Sequence, residues 1–172
     1  MEGVYACPRQ RRKMKIRKPT TENYGKVSGL LGSAFPKSRF EKRVVENFHA
    51  NKTPIHEWVC IHVNKFIGYI AFSNAYHGKE ICGLHLAPLA VAPEFQRQGI
   101  GSELIRFVLR QEPIKTSTIF VLGNPEFYQG FGFRQCAMPL CPFDKDNRHF
   151  LALGNTAAAS FTVGYEPEFS NS

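Results

Sequence analysis

In residues 89–104, LAVAPEFQRQGIGSEL, an apolar run gives way to a polar loop, and the loop to a helical stripe. Pro93 lacks the N–H that a sheet ladder needs, so the strand ends there. Ile100, Leu104, Phe107 and Val108 fall on one helical face, with Ser102, Glu103, Arg106 and Arg110 turned away from it. Residues 96–101 therefore link the end of a strand to the start of an amphipathic helix. The first N–H groups of a helix have no internal partner, and the helix dipole is positive at that end. Gly99 and Gly101 have no side chain to hold a ligand off the backbone, and Arg97 adds a full positive charge. A phosphate or pyrophosphate suits this arrangement. The common nucleotide fingerprints do not fit: Leu104 stands where G-x-G-x-x-G needs its third glycine, and G-x4-G-K-[ST] is absent.

Moving outward, residues 83–91 (GLHLAPLAV) are a strand in which Pro88 is best tolerated at a bulge or edge. Before it, residues 57–63 and 66–72 read as a hairpin around an Asn64-Lys65 turn, and residues 74–80 (NAYHGKE) as a polar loop. Further upstream, residues 14–17 suit a first strand. Tyr24, Val27, Leu31, Ala34 and Phe35 give a helix over 22–35 that Pro36 stops. Phe40, Val44, Val45 and Phe48 give a second helix. Downstream, residues 117–122 suit a strand and residues 125–130 a short helix with Pro125 in its first turn. Phe133 resumes extended structure, residues 150–153 form another strand, and an edge strand and a loop follow Gly154. This order predicts a mixed sheet with helices packed on it.

The 172 residues (19.5 kDa) amount to one domain. With 43% hydrophobic and 21% charged residues, wholesale disorder is excluded. No apolar run approaches the ~18 residues that span a bilayer, and no export signal is legible, so the expected compartment is the cytoplasm. Of the net charge of +8, three units come from residues 1–13, where Arg9, Arg11, Arg12 and Lys13 outweigh Glu2. Residues 1–13 are expected to be a disordered basic extension and residues 14–172 a single domain. A positive surface suits nucleotides, nucleic acid or acidic membranes, or simply solubility. The five cysteines and scattered histidines show no metal-ligand spacing, and reduced thiols are expected.

Val91, Pro93, Gln96, Gly99 and Gly101 spell V-x-P-x-x-Q-x-x-G-x-G, and residues 123–133 (GNPEFYQGFGF) contain Y-x-x-x-G-F. The two blocks, in this order with a helix and a strand between them, resemble the acetyl-CoA motifs of the GNAT superfamily of N-acetyltransferases. The pattern is most similar to its YhbS-type group of small bacterial enzymes. The resemblance implies an α/β fold: a mixed, mostly antiparallel sheet flanked by helices, with a splayed strand pair holding CoA. It implies that Leu89, Ala90 and Val91 meet the pantetheine arm as a pseudo-strand. The pyrophosphate would rest on Arg97, Gln98, Gly99, Ile100, Gly101 and Ser102, mostly through main chain, so truncating Ile100 should matter less than adding bulk at Gly99 or Gly101. Tyr128 matches the tyrosine that protonates the leaving CoA thiolate, the other reading being a core aromatic.

The implied reaction is direct transfer of an acetyl group to an amine, with the Leu89 N–H stabilising the oxyanion. Residues 86–91 contain no carboxylate to act as base. His85 and Glu80 are the nearest candidates, and the alternatives are a structural histidine, a water chain or an amine that arrives neutral. Glu94 is expected to be solvated. No metal is implied. Other readings are a non-catalytic acyl-CoA-binding sensor, a nucleic-acid-binding protein (although no RNP, zinc-finger or helix-turn-helix pattern occurs) and a cysteine acyl-enzyme. The acceptor is unidentified. Residues 22–50, 74–80 and 137–148 are the expected walls of its site, and an exposed C-terminal edge strand would serve a monomer or a homodimer.

Overall fold

A computed structural model describes residues 14–172; the basic segment 1–13, and what the sequence suggests for it, lie outside the described residues. Met14–Arg17 (β1), Ile55–His62 (β2), Lys65–His77 (β3) and Glu80–Val91 (β4) form an antiparallel meander. Ile119–Leu122 (β5) lies parallel to β4. Arg134–Gln135 (β6), Pro139–Leu140 (β7), Phe150–Leu153 (β8) and Phe161–Thr162 (β9) follow. The main sheet has the order β1-β2-β3-β4-β5-β8-β6, and β7 and β9 form a small parallel pair beside it. Tyr24–Ala34 (α1), Phe40–Asn51 (α2), Ile100–Val108 (α3) and Pro125–Gln129 (α4) are the helices. The architecture is the expected mixed, mostly antiparallel sheet flanked by helices.

The core lies on both sides of β3, where residues 66–73 are all buried. Tyr69, Ile70 and Phe72 are fully inaccessible, and burial of each such side chain stabilises the fold by roughly 1.5–3 kcal/mol. The stripe read from the sequence holds: Ile100, Leu104, Ile105 and Val108 turn the apolar face of α3 inward against the sheet.

Three local expectations are corrected. The β2–β3 turn is Val63-Asn64, one residue earlier than predicted, with φ of 45° and 61° and the pair His62↔Lys65 closing it. Two consecutive left-handed residues match the twist of a hairpin. Residues 74–80 are not a loop. β3 runs on to His77 and β4 starts at Glu80, leaving Gly78-Lys79 as the turn. The strand end reads as polar because alternate residues there leave the core, while Ala75 stays buried. The tail after Gly154 is more than an edge strand and a loop. β9 pairs with β7, Gly164 bridges to Tyr76, and Tyr165 and Phe169 pack back onto β4 and α2.

Candidate active site

The bulge expected at Pro88 is present. Phe72 pairs with Leu86 and Ile70 with Leu89, so Ala87 and Pro88 together oppose Ala71. Leu84 donates its N–H to Thr118 O of the β5 side at 2.8 Å, whereas Ala92 donates to Ile67 O on the β3 side at 2.8 Å. Since N–H groups alternate along a strand, the bulge switches the set that faces β5. Before it, Leu84 and Leu86 point that way; after it, Leu89 and Val91 do. β5 meets β4 only at Leu84↔Ile119 and His85↔Phe120 and then diverges. The main chain of Leu89 and Val91 is thus turned into an open gap. Ala90 turns its own main chain to β3 and only lines the cleft.

The loop after β4 is held by a short turn, in which Phe95 and Gln96 donate their N–H groups to Ala92 O and Pro93 O, and by side chains. Gln96 Nε2 donates to Val91 O at 3.0 Å, and Gln98 Nε2 to Glu94 O at 2.9 Å. Glu94, expected to be solvated, pairs with the Lys65 ammonium. Arg97 and Gly99 are left-handed, with φ of 59° and 83°. This conformation costs about 1–2 kcal/mol at Arg97 and nothing at Gly99, which caps α3. Among the described residues, the first N–H of α3 to find a helical partner is that of Glu103, on Gly99 O. The N–H groups of Ile100, Gly101 and Ser102 stand free at the positive end of the dipole.

Two cavities adjoin here. One, of about 490 Å³, is lined by Leu89, Ala90, Val91, Arg97, Gly99, Ile100, Gly101 and Ser102, among others. Gln98 is absent from its wall because its side chain ties the loop. Ile100 is only 5% exposed and packs into the core, so truncating it would cost stability rather than contact with a ligand. The second cavity, of about 580 Å³, opens between the splayed strands and shares Phe35, Leu89 and Phe127 with the first.

Tyr128 and His85 both line the second cavity. Pro125 starts α4, Asn124 caps it by accepting the Glu126 N–H at 3.1 Å, and the helix sets the Tyr128 ring against Gly123. A Cβ at Gly123 would lie 2.5 Å from Tyr128 Cε2, so glycine is needed for this approach. Burial pushes the phenol up to about 12, so it keeps its proton at neutral pH. Its hydroxyl has no hydrogen-bond partner among the described residues.

His85 is corrected as a base. It is 1% exposed, its ring is stacked 3.6 Å from that of Tyr165, and Nε2 lies 3.0 Å from Gly164 O. Burial pulls its pKa down to about 4, so it is a neutral strut in the wall, too weak to take a proton from an amine. Nδ1 is buried without a partner, as is Ser73 Oγ on the paired position of β3. Glu80, the other candidate, is exposed at the hairpin turn and does not line the cavity.

The other wall residues come from parts of the chain far apart in sequence. Glu41, Phe40 and Val44 come from α2, Phe143 from the segment after β7, and Tyr165 and Phe169 from the tail. Residues 22–50, 74–80 and 137–148 were expected to form walls; the first and last do, residues 74–80 supply none of this lining, and the tail residues Tyr165 and Phe169 were not expected. Among the described residues, no three His, Cys, Asp or Glu side chains gather as a metal site, and no helix is long and apolar enough to cross a membrane.

This geometry agrees with comparisons to known proteins. Residues 54–135 match the model of the acetyltransferase (GNAT) domain. The chain is 40% identical over 77 residues to YjhQ of Escherichia coli (strain K12), an uncharacterized N-acetyltransferase, and 33% identical over 73 residues to YhbS of the same strain, described likewise. These matches cover 42% and 41% of this chain and only 42% and 44% of the relatives, less than half their length. The fold superposes on E. coli YhbS in complex with CoA with a TM-score of 0.82 at 22% identity, covering 92% of each chain. It superposes on a GNAT family acetyltransferase from Brucella melitensis in complex with acetyl-CoA with a TM-score of 0.76 at 26% identity, covering 91% of this chain and 97% of that one. With its splayed strands, its open main-chain edge and its glycine loop at a helix start, the chain has the fold of the GNAT acetyltransferases, and its residues 54–135 are similar to their domain.

Proposed function

We propose that the protein transfers an acetyl group from acetyl-CoA directly to an amine. The observation that carries this reading is the continuous path from the free N–H groups at residues 100–102, along the edge of Leu89 and Val91 that β5 leaves open, to Tyr128. On this path the pyrophosphate lies on the loop, with Arg97 and the helix dipole balancing its charge. The pantetheine arm runs beside Leu89 and Val91, and the thioester reaches the cavity between β4 and β5.

The amine nitrogen attacks the thioester carbonyl, and the Leu89 N–H receives the oxyanion. The C–S bond then breaks. The amine loses a proton to water, and CoA leaves as the thiolate and takes a proton back. Tyr128 serves the leaving sulfur as a hydrogen-bond donor. Complete transfer of its proton to a thiolate of ordinary basicity would run uphill by roughly 5 kcal/mol. The wall contains no strong base, which favours an amine that is neutral when it attacks.

Calorimetry with acetyl-CoA, beside a Gly101→Trp variant, tests this reading. A Cβ at Gly101 meets only ordinary contacts, at 3.7–3.8 Å from Leu89, Phe127 and Val91, so the variant can fold while the indole occupies the cleft. We expect the native chain to bind and the variant to lose binding with its thermal midpoint retained. A well-folded native chain that binds no acetyl-CoA overturns the reading.

A further inference from the structure

The wall of the second cavity specifies what enters from the side opposite acetyl-CoA. We propose that the acceptor is a primary amine on an apolar body of about the size of a phenyl or indole ring, which docks with its ammonium group at Glu41 and gives up one proton to water before the neutral nitrogen attacks; this rests on the acetyl-transfer reading above.

Beyond the splayed strands the wall is made of Phe40, Val44, Phe143, Tyr165 and Phe169. Four of the eight large apolar side chains exposed on the described chain, Phe40, Leu122, Phe127 and Phe143, line this one cavity. Aromatic groups left open to water around a single hollow mark a site for an apolar ligand. The lining contains no lysine or arginine, and His85 is neutral, so Glu41 is its one full charge.

That carboxylate is fixed in place. Ser38 Oγ accepts the Phe40 N–H at 3.2 Å and donates to Glu41 Oε2 at 2.6 Å. No hydrogen bond to Oε1 occurs among the described residues, so this oxygen is available to an ammonium group. One negative group in an aromatic hollow suits one cation with an apolar body. A polyamine or an amino sugar would bury charges or hydroxyls with nothing to receive them.

The test follows CoA formation by chromatography, with the full chain and saturating acetyl-CoA, for 2-phenylethylamine and tryptamine against spermidine and ethanolamine. The apolar amines should exceed the polar ones in kcat/KM by about tenfold or more. Glu41→Gln keeps the side-chain length and should raise KM for 2-phenylethylamine by about tenfold, leaving kcat and acetyl-CoA affinity nearly unchanged. Phe143→Ala, at a half-exposed position where folding is safe, should raise the same KM by about threefold.

Equal or better turnover of spermidine or ethanolamine overturns the assignment, as does an unaltered KM in Glu41→Gln. Octanoyl-CoA bound more tightly than acetyl-CoA, with no apolar amine turned over, would give the hollow to an acyl chain instead and also overturns it. Calorimetry separates the two levels. Acetyl-CoA bound without turnover of an apolar amine removes the acceptor class alone, and no binding of acetyl-CoA removes the transferase reading with it.

Discussion

The two cavities adjoin but are built in opposite ways. The first is made mostly by a contiguous segment, residues 89–102, closed by Ala34, Phe35 and Phe127, and offers mainly backbone: free N–H groups at the start of α3 and an open strand edge after the bulge. The second is made of side chains drawn from Phe35, just after α1, and from α2, β4, β5, α4, the segment after β7 and the tail. A backbone site constrains sequence through glycine, proline and chain reversal, and tolerates loss of side chains. A side-chain site constrains volume and charge at positions far apart in the chain. The two should therefore respond differently to substitution.

The largest difference is expected at residues 101 and 102, which are neighbours in one cavity wall. Gly101→Trp should weaken acetyl-CoA binding by more than about 100-fold, because the indole takes the ligand's place. Ser102→Ala should change it by less than about twofold, since the neighbouring N–H groups carry the contact. Equal losses at both positions would mean that the loop binds through side chains, and the contrast would fail.

Tyr128 stands where the two halves meet. Tyr128→Phe should lower kcat by about 100-fold and leave the acetyl-CoA affinity unaltered, because the lost hydrogen bond forms only as thiolate charge develops. Reading kcat beside a calorimetric Kd separates this from packing: a Kd that weakens in step with kcat would make Tyr128 a wall residue only.

The same contrast explains what the sequence made legible. Pro88, Pro93, Gln96, Gly99 and Gly101 each impose a local backbone event, and local events are readable from spacing. The bulge, the end of β4 and the left-handed cap of α3 are all found where these residues stand. Tyr128 was singled out only through the resemblance of residues 123–133 to the GNAT Y-x-x-x-G-F block. Glu41, Phe143, Tyr165 and Phe169 carry no such signal, because what brings them together is the packing of the tail against α2 and β4. For the same reason the sequence left His85 open between a base and a structural histidine. Its base character depends on Gly164 and Tyr165, which are remote in sequence, and burial among them removes it.

Acid should loosen the side-chain half first. The folded-state pKa of His85 is about 4, below the ~6.5 of an unfolded chain. As pH falls, the unfolded chain takes up this proton first. The stability that rests on neutral His85 is complete above about pH 6.5 and drains away as pH falls toward 4. At pH 5 the loss is about 2 kcal/mol. Urea unfolding at pH 7 and pH 5 should show this extra loss in the native chain and not in His85→Phe, which keeps a ring on Tyr165. Identical pH dependence in the two proteins would remove His85 as the acid-sensitive tie of the tail.

A milder substitution than Gly101→Trp tests whether the backbone half depends on side chains at all. Gln96 lies in the first cavity's wall, but its Nε2 donates to Val91 O, a carbonyl on the strand edge that would face the arm. In Gln96→Ala, that exposed carbonyl can bond to water, so the cost is one hydrogen bond of about 1 kcal/mol with no buried polar group left bare. Acetyl-CoA affinity should fall by about fivefold through a looser loop. The unfolding midpoint should fall by no more than about 2–4 °C, since α3 keeps its packing against β3. A drop like that of Gly101→Trp would show that Gln96 is itself a ligand contact. No change would show that Pro93 and the left-handed residues at 97 and 99 hold the loop unaided.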